Sequence, residues 1–77
     1  MEFIVGITND SENKKKYWTE KKGRIFNWQV IARDLSIEEA FNTQLEICSI
    51  LDCSPAALSE KANTRHEWCV YCFDYEN

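Results

Sequence analysis

Hydrophobic and polar positions follow two different periods along this chain, and the changes of period mark its elements. Glu2 to Thr8 is a short apolar run, with Phe3, Ile4, Val5 and Ile7 around Gly6, and predicts a strand. Asn9, Asp10 or Ser11 can then cap a helix from about residue 11 to Lys22, which Gly23 ends. Arg24 to Arg33 alternates. Phe26, Trp28, Val30 and Ala32 fall on one face and Asn27, Gln29 and Arg33 on the other, with Ile25 and Ile31 as apolar exceptions, which predicts a half-buried strand.

Ser36-Ile-Glu-Glu39 has capping-box spacing and opens a second helix running to residue 51. At about 100° per residue, Ile37, Ala40, Phe41, Cys48 and Leu51 gather on one side of it. Ser54-Pro55 reads as an N-cap followed by proline at the first helical position, so a short helix is expected to about Lys61. Asn63 to His66 is a polar loop. Glu67 to Tyr75 is a last strand, apolar on both faces until Asp74, as an interior strand would be. These elements predict a single α/β (α+β) domain over residues 1–77: a small three-stranded sheet with two main helices and one short helix.

A chain of 77 residues buries only about 60–65% of its unfolded surface, so its stability is expected to be modest. No apolar run approaches the roughly 20 residues that span a bilayer. The opening Met-Glu-Phe-Ile-Val-Gly has no basic segment and no small-residue cleavage site, so a cytoplasmic chain is expected, with reduced cysteines. The net charge is -4, unevenly spread. Residues 11–24 hold Lys14, Lys15, Lys16, Lys21, Lys22 and Arg24 against Glu12 and Glu20, a local +4, which leaves -8 on the remaining 63 residues. The acidic balance argues against nucleic-acid binding over the whole surface, but a local basic stripe remains compatible with it.

The run Ile4-Val-Gly-Ile-Thr-Asn-Asp10, the basic helix after it, a strand around Trp28 and a helix carrying Ala40 together resemble the GIY-YIG endonuclease superfamily. The resemblance to the second family motif covers roughly residues 3 to 18, and that of the second helix residues 36 to 51. It implies a three-stranded sheet among helices and, in active members, DNA cleavage with one divalent metal. Four family positions are altered here. Ile4 stands where the motif has its tyrosine, Lys14 where the helix has an arginine, Trp18 where it has a histidine, and Gln44 where a glutamate binds the metal. The family's first strand does not precede Met1, and the C-terminal strand with Val70-Tyr71 is a candidate to take its place in the sheet. A neutral amide is a poor ligand for a hard cation, and lysine lacks the planar fork of arginine. The resemblance therefore implies a scaffold with no catalytic residues and no cofactor.

Three functions follow as expectations. The first is a non-catalytic interaction or regulatory module that docks a protein partner through an acidic surface of Glu38, Glu39, Glu46, Asp52 and Glu60. The second is nucleic-acid binding through Lys14, Lys15, Lys16, Tyr17, Lys21, Lys22 and Arg24, where cations interleave with aromatic rings. These lysines equally fit a solvated helix face. The third is a divergent metal-dependent DNA endonuclease. Cys48, Cys53, Cys69 and Cys72 have the count for a zinc site, but positions 69 and 72 of a strand face opposite sides, so free thiols and no metal are expected. His66 is expected to be exposed. Gln44, inside the apolar stripe of its helix, reads either as a satisfied core amide or as the remnant of a metal site, and with Tyr71 it could line a small pocket.

Overall fold

The computed structural model describes residues 2–58 and 60–76. Strand β1 (Glu2–Thr8) leads into helix α1 (Ser11–Lys22), strand β2 (Ile25–Leu35), helix α2 (Ile37–Leu51) and strand β3 (Trp68–Tyr75). The sheet is antiparallel throughout, in the order β1-β3-β2. The last strand is therefore the middle one, which accounts for its apolar residues on both faces. Trp68, Val70 and Cys72 point to one side and Cys69, Tyr71 and Phe73 to the other, and all six are buried. The Val70-Tyr71 segment lies antiparallel beside β1, with Gly6 opposite Tyr71.

Each helix covers one face. Val5, Ile7, Trp68, Val70 and Cys72 form a core with Ala40 and Cys48 of α2, and Ile37 and Ile47 pack against it. On the opposite face, Trp18 of α1 lies against Phe73, and Trp28 of β2 stacks on Tyr71 with ring centroids 4.9 Å apart. The caps follow the sequence. Asp10 accepts from the Asn13 N–H, Gly23 ends α1 at φ 85°, and Ser36 with Glu39 closes a reciprocal capping box.

Two expectations are corrected. Residues 55–58 form no helix, and Ser59 lies outside the described residues. Instead Pro55 bridges in parallel to Val5, and the Ala56 N–H donates to the Val5 carbonyl at 2.9 Å. The outer edge of β1 has backbone groups to satisfy, and this segment supplies them. Gln44 completes the join. Its Nε2 donates to the carbonyls of Val5 (3.0 Å) and Ala56 (3.3 Å), so it is a satisfied core amide. The second correction concerns β2, which does not keep one face throughout. Register shifts between Phe26 and Gln29, between Val30 and Ala32 and between Ala32 and Leu35 put Trp28 and Val30 on the α1 side and Ala32 and Leu35 in the α2 core. Asn27, at φ 56°, sits in the first irregularity and donates to Asp74.

Gly6 is fixed by its neighbour across the strands. A Cβ there would overlap the Oη and Cζ of Tyr71, whose phenol lies over the glycine and accepts from the Trp18 indole N–H at 2.8 Å. Gly6→Ala should lower unfolding free energy in urea by about 1–3 kcal/mol or more. The penalty should shrink when Tyr71→Leu is already present, and simple additivity would contradict the overlap.

Burial pushes the Tyr71 phenol up to about 12, against a lowering by the Trp18 hydrogen bond. The folded state thus holds this proton more tightly than the unfolded chain. Its contribution is complete below pH 10 and lost as pH rises through about 12. Compared with Tyr71→Phe, the native protein should lose an extra ~2–3 kcal/mol across that interval. Parallel stability curves for the two proteins would count against it.

Candidate functional site

Ile4, Lys14 and Trp18, the positions on β1 and α1 that the resemblance singles out, are all engaged within the fold. Trp18 is bound to Tyr71, and Ile4 and Trp18 border one shallow cavity with Tyr75. Lys14 is 8% exposed. Its Nζ pairs with Glu60 Oε1 at 2.6 Å and lies 4.8 Å from the centre of the Tyr17 ring. Gln44 does not join them. It rises from α2, on the other side of the sheet, and its amide hydrogens are spent on Val5 and Ala56. Gln44 and Tyr71 are both buried and hydrogen-bonded, so neither opens onto a shared pocket. Among the described residues, no group of three or more histidine, cysteine or acidic side chains is arranged to hold a metal ion.

The thiols divide between the two faces. Cys48, Cys53 and Cys72 belong to the α2 side, whereas Cys69 is buried on the α1 side and donates to the Thr8 carbonyl. All four are free, and the tetrahedral zinc set is not formed. Burial pushes the Cys48 thiol up to about 11, with a hydrogen bond to Cys53 adding to the rise, and burial also raises Cys69 and Cys72. His66 is exposed, with its Nδ1 3.9 Å from Glu39 Oε1.

Helix geometry splits the basic stripe. Lys14 points inward, so it does not serve the exposed cationic face expected of it. Lys21 turns to the Tyr17 flank, where its Nζ donates to the phenol at 3.0 Å and holds that phenol below its ordinary value. Lys16 faces outward. Lys15 and Lys22, two turns apart, share the flank that faces β2, and Lys22 sits 4.4 Å from the centre of the Tyr75 ring. Arg24 lies over Phe26, which pairs with Asp74 on the α2 side of the sheet.

The acidic set is dispersed as well. Glu60 is turned inward to Lys14, so it drops out of a common exposed surface. Glu39 is engaged in the capping box, and the Ser36 hydrogen bonds hold its carboxyl below the usual range. Asp52 caps the C-terminus of α2 in the left-handed conformation. Glu38 and Glu46 remain on the outer side of α2. They stand beside residues whose exposure the sequence did not reveal: Phe41 (47%), Leu45 (43%), Leu51 (52%) and Ile50 (81%). The expected apolar stripe put Phe41 and Leu51 with the core. Phe41 lies at the margin of the arc that the three-stranded sheet covers, whereas Leu51 shares the inward direction but is the last residue of α2. Comparison with known protein families, with curated proteins and with solved structures finds no match.

The buried ion pair should be the most sensitive charge in α1. Lys14→Met leaves Glu60 without this cation and should cost about 3 kcal/mol in chemical denaturation. Lys16→Glu should stay within about 0.5 kcal/mol of the native protein. Equal costs at the two positions would contradict the placement.

Proposed function

We propose that the protein is a non-catalytic binding module. On this reading it keeps the layout of a GIY-YIG domain without the carboxylate that anchors the metal, and it docks a cationic amphipathic segment of a partner protein on the outer face of α2. One observation carries this reading. Over Ile37–Leu51 the helix bears Glu38, Glu39 and Glu46 and no lysine or arginine, while Phe41 and Leu45, one turn apart, stand half-exposed among them. A cavity of about 400 Å³ lies beside Phe41, bordered by Ile37, Glu38 and Asn42.

Half-exposed aromatic and aliphatic side chains supply anchors that release water on contact, and carboxylates around them select basic partners. A helix with apolar anchors at the spacing of one turn, flanked by basic residues, fits such a face. A second copy of this chain is the poorer occupant. Its own basic helix lies on the other side of the sheet, so copies would associate head to tail without closing.

Titration with a designed lysine–leucine amphipathic peptide, followed by nuclear magnetic resonance, should shift amides of α2. The combined change Phe41→Ser and Leu45→Ser should weaken binding about tenfold or more. Shifts confined to other elements, or self-association through α2 in sedimentation, would overturn the reading.

A further inference from the structure

We infer that the cleft between α1 and β2 is a second binding site, which takes a phosphate and a nucleobase of single-stranded nucleic acid. It lies on the opposite side of the sheet from the α2 face and is independent of it. Ser11, Glu12, Lys15, Trp28, Val30 and Arg33 line a space of about 420 Å³ there, the volume of a small-ligand site.

Two cations from different elements meet at this cleft. Lys15 comes from the flank of α1, and Arg33 comes from β2 beyond the second register shift. Neither forms an ion pair within the protein among the described residues. That distinguishes them from Lys14, which is paired with Glu60, and from Lys21, which is bound to Tyr17. A lysine and an arginine across one gap suit a phosphate, with arginine supplying the directional fork.

The wall is aromatic. One side of Trp28 is stacked on Tyr71 and Phe73, which holds the indole upright, while the ring also borders the cleft. Among the described residues, Trp28 is also the tryptophan whose indole N–H has no acceptor. Trp18 donates to Tyr71 and Trp68 to Asn63. A rigid ring with a spare donor offers a surface on which any base can stack, so sequence preference should be weak. Lys22, over Tyr75, continues the cationic flank two turns along α1 and provides a second phosphate contact. Glu12 is the opposing group. Its carboxylate borders the same cleft and repels a phosphate, so it limits affinity.

The test is fluorescence anisotropy of a labelled oligothymidylate with the full chain, at several salt concentrations. Binding should weaken with rising salt. Lys15→Glu and Arg33→Glu, both surface changes that should leave the circular dichroism unaltered, should each reduce affinity about tenfold. Trp28→Leu should do the same through lost stacking, and Glu12→Gln should tighten binding. Lys16→Glu, facing away from the cleft, should change it little. Four results would overturn the inference: no binding at low salt, equal loss with Lys16→Glu, equal affinity for duplex, or equal competition by polyglutamate. The last would mean a surface that takes any polyanion, an acidic protein included.

Discussion

The structure depends on burying both faces of its last strand. β3 carries Trp68, Val70 and Cys72 to one side and Tyr71 and Phe73 to the other. No two-layer arrangement removes both sets from water, so a helix is needed on each face. Everything else is arranged around that need. β1 and β2 flank the strand as hydrogen-bonding neighbours, Gly6 makes room for the Tyr71 ring, and Trp18 fastens α1 to the phenol.

The same constraint sorts charge. The chain's basic helix and its most acidic helix are held apart by the sheet, which produces two surfaces of opposite character on a domain of 77 residues. The edges are handled differently. β1 is closed by the Pro55 segment and Gln44, whereas β2 is blunted by irregular register and two left-handed residues, Asn27 and Asp34. Neither edge is a long flat template for pairing, so the helices are the surfaces left for recognition.

Much of this was legible in the residues. The bounds of β1 and both helices followed from caps and periodicity, and the two-sided apolarity of residues 68–73 announced a central strand. Gln44 was readable as an amide in need of partners, though not which ones. What the residues concealed was set by tertiary contact. Ser54-Pro55 carries a helix-start signal, but an unsatisfied strand edge captured the segment. Lys14 looked like one of three solvated lysines, yet it stands one turn before Trp18 and shares that inward direction, a signal that spacing contained. The meeting of Lys15, Trp28 and Arg33 had no such signal, because a register shift within β2 decides which side Trp28 and Val30 face. The exposure of Phe41 and Leu45 was hidden for a different reason: periodicity finds an apolar stripe without telling how wide the covering sheet is.

Loading both ligands on one molecule tests the central claim, that a doubly covered strand separates two independent surfaces. Isothermal titration of the peptide into the protein, alone and then saturated with oligothymidylate, measures their coupling. The peptide should bind with the same affinity in both titrations, and a ternary complex should appear in sedimentation. Displacement of either ligand by the other would contradict it.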